Sequence, residues 1–283
     1  MKVSGSDPEC DDAGHILPLM ADKQPIQRPE RGISLRAFAP NAVTALALCV
    51  GLSGVRFAFL ENWVLAAGAI VLAGILDGLD GRIARLLNAQ SRFGAELDSL
   101  SDVIAFGVTP AVVMFFWSLQ HMPQFGWVIS LTMAVGCALR LARFNAHIDD
   151  EDQPHKSAGF LTGIPAPVAA GLVMLPLYLW VITDLDMFRD YFVVAPWIVL
   201  IAFLMISNTA TYSWSSLRLR KNIRLEALAG FALLGVALIN NPWITLSVIS
   251  IGYIVLIPFS IRSYAKVKRQ RAMESAAQDG DAR

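Results

Sequence analysis

Four aspartates stand at fixed spacing in DGLDGRIARLLNAQSRFGAELDSLSD, residues 77–102: Asp77 and Asp80 three apart, Asp98 and Asp102 four apart. Residues three or four apart share a face of a helix, so each pair aims two carboxylates in one direction. The flanking runs VLAAGAIVLAGIL and VIAFGVTPAVVMFFW are almost wholly apolar, which puts the acids near the ends of two hydrophobic helices joined by a short link. Helices joined in this way are antiparallel neighbours, and all four carboxylates are expected to converge at similar depth. An Asp at the centre of a membrane helix costs about 2.5–3.5 kcal/mol on insertion scales, and less toward the interface. Four of them would repel one another unless cations sit between them. Hard divalent ions, Mg²⁺ or Mn²⁺, take oxygen ligands and are held by carboxylates together with substrate phosphates. Two such ions would neutralise the four acids.

The residues between the acids extend this chemistry. Gly81 and Ala84 follow Asp77 on its own face, and Gly94 precedes Asp98 by one turn, so the spacing predicts a floor without bulk where a ligand can approach the backbone. Arg85 points to the same side and could grip a phosphate through two parallel hydrogen bonds. Small residues at helical spacing also serve plain helix packing, and a single Asp–Arg pair can be a snorkelling ion pair. Four aspartates at both spacings point instead to a metal-assisted phosphoryl-transfer site at a membrane surface.

The elements that must position these groups are membrane helices. The 283-residue chain is 55% hydrophobic and 16% charged, against about 25% charged in soluble domains; its mean hydropathy is +0.52. Long stretches near 42–60, 63–76, 103–119, 124–139, 166–182, 192–206, 227–239 and 243–261 carry few or no charges. A helix needs about 20 residues to span the hydrocarbon, so the expected fold is all-α: a polytopic membrane bundle of about eight transmembrane helices. Seven results if 227–239 is left out, because it is short and Asn240, Asn241 and Pro242 follow it. With both termini cytoplasmic, every basic residue except Arg56 and Arg189 falls on the cytoplasmic side, as the positive-inside rule requires; an odd helix count would spoil this asymmetry. Residues 1–35 form a polar tail without the apolar run of a signal peptide, and 265–283 a charged one. The net charge of zero gives no reason to expect nucleic acid as a partner; the basic collar suits anionic lipid head groups. Cys10, Cys49 and Cys137 are far apart and form no metal or disulfide pattern.

At the aspartates the sequence resembles the CDP-alcohol phosphotransferases. Their signature, D-x2-D-G-x2-A-R-x8-G-x3-D-x3-D, is complete here in Asp77, Asp80, Gly81, Ala84, Arg85, Gly94, Asp98 and Asp102. The resemblance implies that the four aspartates hold two divalent metals, that Asp98 and Asp102 are catalytic with Asp102 as general base, and that Gly81, Ala84, Arg85 and Gly94 lie against the CDP moiety. The segment PNAVT is similar to the family's first-helix segment, which implies that Asn41 and Thr44 face the nucleotide. FGAELDSLSDVIAFGVTPA, ALRLARFN, FLTGIPAPVAAG and LMISNTATYS look like the branch that transfers the phosphatidyl group from CDP-diacylglycerol to L-serine, releasing CMP. A catalytic core of six helices at 36–215, two additional helices at 216–264, a homodimer, and an inner-membrane location with the site facing the cytoplasm follow from the same likeness.

The acceptor must also be held. Arg140 and Arg143, three apart near the cytoplasmic end of the fourth membrane helix, could bind the carboxylate of serine or a lipid phosphate; anchoring to head groups is the alternative use of such a pair. Asn145 and Asn208 are weaker candidates. Glycerol phosphate, inositol phosphate and choline are alternative acceptors for the same chemistry. An ion-coupled transporter is the alternative from another class, but it should show inverted repeats and broken helices near the midplane, and no repeat is found.

Overall fold

The computed structural model describes residues 35–146, 160–207, 210–212 and 224–259. Both tails and the candidate Asn208 lie outside these residues. Eight helical stretches coincide with the eight apolar runs of the sequence. Six are long and apolar enough to cross a membrane: Phe38–Phe59, Trp63–Leu86, Arg92–Trp117, Gly126–Ala146, Ala166–Thr183 and Pro242–Phe259. The other two are the 16-residue Tyr191–Ile206 and the 17-residue Arg224–Asn240.

The order is α1 (Leu35–Phe59), α2 (Trp63–Leu86), α3 (Arg92–Asp102), a π-helical turn (Val103–Val108), α4 (Thr109–Trp117), α5 (Gly126–Ala146), α6 (Ala166–Val173), α7 (Leu175–Thr183), α8 (Tyr191–Ile206) and α9 (Arg224–Asn240). The final helix, Pro242–Phe259, is α10. The sequence of the third span reads as one helix, but α3, the π turn and α4 succeed one another there without a loop. The fifth span bends at Met174, between α6 and α7. Pro176 follows closely and lacks the N–H that would continue the helical hydrogen bonding across this point. One short ribbon accompanies the all-α bundle: β1 (Phe160–Thr162) pairs antiparallel with β2 (Ala210–Tyr212). Gly163 follows β1 at φ +73°, where a Cβ would lie 2.6 Å from the Met205 carbonyl oxygen. That ribbon ties the segment before α6 to the one after α8.

The packing depends on small residues. Ala66, Ala67 and Ala73 of α2 are wholly buried, and the three-residue turn between Phe59 and Trp63 lays α1 along this face. Hydroxyls stitch α1 to the third span: Ser101 donates to the Thr44 carbonyl at 3.4 Å and Thr109 to the Gly51 carbonyl at 3.3 Å. A Cβ on Gly51 would lie 2.9 Å from Cβ of Ala105, and one on Gly107 would lie 2.8 Å from Cβ of Cys137. The π turn is therefore held between α1 and α5 by two positions that admit no side chain. Trp117, Tyr178, Phe106 and Met133 fill the interior. Many large apolar side chains, among them Phe38, Leu72 and Phe203, remain exposed, as a lipid-facing surface requires.

At the bundle end opposite the aspartates, Arg189 packs over the rings of Trp63 and Trp180, at 5.9 and 5.8 Å from their centroids, and its Nε donates to the Trp117 carbonyl at 2.9 Å. Aromatic rings and an anchored guanidinium at this level make an interfacial belt. From the packing of the π turn, Gly107→Val should force α5 away and cost about 1–3 kcal/mol. A fall in the thermal unfolding midpoint of the detergent-solubilised protein is the expected result, with Gly68→Val, where a Cβ meets nothing within 4 Å, as the control.

Candidate active site

The site is built at the bundle end where α2 finishes and α3 starts. Leu87–Gln90 make the link, with Asn88 at φ 48°, and Ser91 caps α3 by accepting a hydrogen bond from the Gly94 N–H at 3.0 Å. The cap satisfies an N–H that a helix end would otherwise leave unpaired in apolar surroundings. α2 runs toward this end and α3 away from it, so the two aspartate pairs face one another.

Asp77, Asp98 and Asp102 come together: one carboxylate oxygen from each lies within 4.8 Å of the others. Asp80 does not join this group. It is 5% exposed, and its Oδ2 accepts a hydrogen bond from the Thr44 hydroxyl at 2.6 Å. The expectation of four carboxylates at one depth is thus corrected to two layers. At 1.5 Å rise per residue, Asp77 and Asp102 lie about 14–15 Å from the site-side ends of their helices, and Asp80 and Asp98 about 9 Å. The layers still sense each other, since Asp80 is within electrostatic reach of Asp77, Asp98 and Asp102.

Above the acids opens a cavity of about 720 Å³, within the range of small-molecule sites. Asn41, Thr44, Asp80, Gly81, Arg85 and Asp98 are on its wall, with Ala84 and Gly94 beside them. Asp77 and Asp102 lie outside this lining, in the deeper layer. The small residues divide by role. A Cβ on Gly81 would meet nothing within 4 Å, so this position keeps the cavity floor open. A Cβ on Gly94 would lie 2.9 Å from Asn41 Oδ1, so Gly94 makes room for the Asn41 side chain instead of for a ligand directly. Arg85 donates from Nε to the Gly81 carbonyl at 3.0 Å, which orients the guanidinium on the cavity wall.

The two basic acceptor candidates part company. Arg140 is within electrostatic reach of Asp102, and its Nε is buried without a hydrogen-bond partner. Arg143, one turn further, is exposed and donates to the Ile206 carbonyl at 3.3 Å, linking the ends of α5 and α8. Asn145 donates to the Ser99 hydroxyl at 3.0 Å and fastens α5 to α3. Sequence reasoning missed the Thr44–Asp80 bond, the π turn directly after Asp102, and Phe144 on the cavity wall. For the Ser91 cap a signal was present, a serine immediately before the periodic run of α3.

Three carboxylates so close, on helices long enough to cross a membrane, form a donor set suited to a hard divalent cation. The neighbouring fork of Arg85 adds a group suited to phosphate. Comparison with known proteins agrees with this chemistry: the family model described as CDP-alcohol phosphatidyltransferase matches residues 37–206. The chain belongs to the CDP-alcohol phosphatidyltransferase family. A second family model, CDP-alcohol phosphatidyltransferase 2, matches residues 222–258. The CDP-diacylglycerol–serine O-phosphatidyltransferase of Mycobacterium tuberculosis is 38% identical over 236 residues, which cover 83% of this chain and 82% of that protein. Proteins of the same name from Helicobacter pylori and Bacillus subtilis are 42% identical over 136 residues and 33% identical over 132. The Helicobacter match covers 48% of this chain and 55% of that protein; the Bacillus match covers 47% and 71%. All signature residues of this CDP-alcohol phosphatidyltransferase family member lie within the first matched segment.

The split between the glycines is testable. Gly81→Ala should leave the unfolding midpoint unchanged and weaken CDP binding, because its methyl enters the cavity. Gly94→Ala should lower the midpoint, since Asn41 must move. Thermal unfolding with and without CDP reads both; equal behaviour of the two variants would contradict the assignment.

Proposed function

We propose that this protein transfers the phosphatidyl group of CDP-diacylglycerol to L-serine, giving phosphatidylserine and CMP. The observation that carries the reading is the meeting of Asp77, Asp98 and Asp102 at a cavity walled by Asp98 and the rest of the signature. The relatives named for serine transfer support the choice of acceptor.

In this reading the nucleotide enters the 720 Å³ cavity. Asn41 and the open floor at Gly81 and Ala84 receive the CDP moiety, and Arg85 takes a phosphate oxygen. Thr44 holds the Asp80 carboxylate through its 2.6 Å hydrogen bond. Asp77, Asp80, Asp98 and Asp102 would hold one or two Mg²⁺ or Mn²⁺ ions. When bound, these supply charge neutralisation at the diphosphate and on the departing CMP. The hydroxyl of serine is a weak nucleophile at neutral pH, and Asp102 takes its proton. The serine oxygen forms a bond to the phosphorus that carries diacylglycerol as the bond from that phosphorus to the CMP oxygen breaks. CMP leaves with the bonding electron pair. The attack is direct, because no side chain at the site is an activated nucleophile. Arg140, within electrostatic reach of Asp102, receives the serine carboxylate; Arg143 serves the link to α8.

The bundle is read as a multi-pass protein of the cell (inner) membrane with both termini cytoplasmic, so that serine arrives from the cytoplasm while the acyl chains stay in lipid. Residues 36–215 are the catalytic core, 216–264 an additional helix pair, and 1–35 and 265–283 polar tails. Two copies form the working unit, as the family resemblance implies.

An acceptor panel tests the reading. Purified protein in nanodiscs with CDP-diacylglycerol and Mn²⁺ should release CMP with serine and not with glycerol phosphate, inositol phosphate or choline. Release with one of these in place of serine would overturn the acceptor assignment. Asp98→Asn, or excess EDTA, should lower the rate at least about a hundredfold, the scale set by losing a preorganised charge in a buried site. Arg140→Ala should raise the KM for serine about tenfold, the price of one hydrogen bond to a charged group, and leave that for CDP-diacylglycerol unchanged.

A further inference from the structure

Arg189 is one of the two basic residues that the sequence leaves outside the basic collar, and the proposed reaction gives it no task. It belongs to TDLDMFRDYF, the polar break between α7 and α8. A second cavity, of about 460 Å³, opens here at the bundle end away from the aspartates, lined by Ser118, His121, Asp186, Arg189, Asp190 and Tyr191. Its charged groups are held apart. Arg189 is anchored through Nε to the Trp117 carbonyl and over the rings of Trp63 and Trp180, while the Ser118 hydroxyl donates to the Arg189 carbonyl at 2.7 Å. The terminal guanidinium nitrogens make no hydrogen bond, and among the described residues no ion pair joins Arg189 to Asp186 or Asp190. Asp190 accepts from the Phe192 N–H at 2.9 Å through one oxygen, as the cap of α8. Its other oxygen and the exposed carboxylate of Asp186 are unengaged. His121 donates from Nδ1 to the Ser118 carbonyl at 3.2 Å, which ties the remaining wall together.

An arginine beside two aspartates could close onto either of them; here a carbonyl and two indoles hold it back. The cavity therefore presents one fixed positive group and two carboxylates that do not neutralise one another. A purely anionic ligand would meet two negative groups for one guanidinium, and a simple cation would meet Arg189. A ligand carrying both charges satisfies the set, its phosphate on the guanidinium fork and its ammonium on the carboxylates. A primary ammonium brings three donors for those oxygens. A quaternary ammonium brings none and is recognised by a cage of aromatic rings, whereas this lining holds a single tyrosine. Leu185, Met187 and Phe192, all exposed, flank the polar residues, and the belt of Trp63, Trp180 and Arg189 marks the level of a membrane surface. Acyl chains thus have an apolar surface directly beside the headgroup.

We propose that this cavity binds the headgroup of a phospholipid that joins a phosphate to a primary ammonium, at the membrane surface opposite the catalytic site. Free O-phosphoethanolamine shares the headgroup chemistry; the flanking apolar side chains favour the lipid. The site is independent of the acceptor assignment, since none of its residues belongs to the aspartate cavity.

The test uses the full-length protein in mild detergent, with saturating CDP to occupy the catalytic cavity. Short-chain phosphatidylethanolamine is titrated in, and binding is read by native mass spectrometry and by thermal unfolding. Bound lipid should raise the unfolding midpoint, as any ligand of the folded state does. Phosphatidylcholine and phosphatidylglycerol of the same chain length should bind about tenfold more weakly, the scale of one hydrogen bond to a charged group. Asp186 is exposed and bonded to nothing, so Asp186→Asn should keep the ligand-free midpoint of the wild type. It should weaken phosphatidylethanolamine binding about tenfold by the same reckoning and leave phosphatidylcholine binding unchanged; Asp186→Glu should restore most of the loss. Arg189→Gln should weaken the binding of all three lipids, and it should also lower the ligand-free midpoint because the anchor to Trp117 is lost. Equal binding of the three lipids, or wild-type binding of phosphatidylethanolamine by Asp186→Asn, would overturn the inference. Free O-phosphoethanolamine binding as tightly as the lipid would assign the cavity to a soluble phosphoamine and overturn the lipid reading.

Discussion

The structure depends on keeping carboxylates near one another inside a bundle that buries them in apolar surroundings. Each such group costs free energy when charged, and their mutual repulsion grows as the local dielectric falls. Concentrating this repulsion at one point only makes sense if a positive ligand completes the site, and the surrounding helices are arranged to permit that. α2 and α3 meet as antiparallel neighbours across the link Leu87–Gln90 and the Ser91 cap, and α1 closes the third side. Thr44 meets part of the polar demand with a 2.6 Å bond to Asp80. The remaining three acids are left within 4.8 Å of one another with no such neutral partner, which is where cations are needed most.

The same constraint explains the two-layer arrangement. Asp80 and Asp98, about two turns in from their helix ends, are on the cavity wall and can meet a substrate diphosphate. Asp77 and Asp102, about a turn deeper, lie outside the cavity lining. Arg140 of α5 is within electrostatic reach of the deeper Asp102, whereas the cavity is lined by the shallower pair, Asp80 and Asp98.

Much of this was legible in the sequence because two physical signals are strong. Uninterrupted apolar runs can only be satisfied by helices in lipid, so all eight stretches were found. Helical periodicity fixes which acids share a face, so the convergence of acids from α2 and α3 could be read from spacing, though as four carboxylates and not as the three that meet. Depth was less legible: spacing along one helix gives a face, but the distance from Asp80 to Thr44 depends on where α1 crosses α2. Gly94 shows the same gap. Its lack of a side chain was evident, yet only the packed structure reveals that the space belongs to Asn41 and not to a ligand. Arg140 and Arg143 look equivalent at three residues apart, but α8 captures the second through the Ile206 carbonyl. The short ribbon of β1 and β2 joins segments some fifty residues apart, a pairing that no local pattern encodes.

The π turn after Asp102 bears on why the third span is irregular. An uninterrupted α-helix would carry Asp98, Asp102 and the following apolar residues in a single register, with the acids on one stripe and the packing face fixed by the same periodicity. A π turn inserts extra backbone per turn and so rotates everything beyond it. That uncouples two requirements: α3 can aim its acids at α2, while Ala105, Phe106 and Gly107 turn toward α1 and α5. The glycines at 51 and 107 then let both neighbours close on the irregular turn, so its altered hydrogen bonding is shielded from lipid. Without that shielding, backbone groups loosened at membrane depth would be costly. The irregularity directly beside the deepest acid is therefore tolerated because the helices that position the acid also cover it.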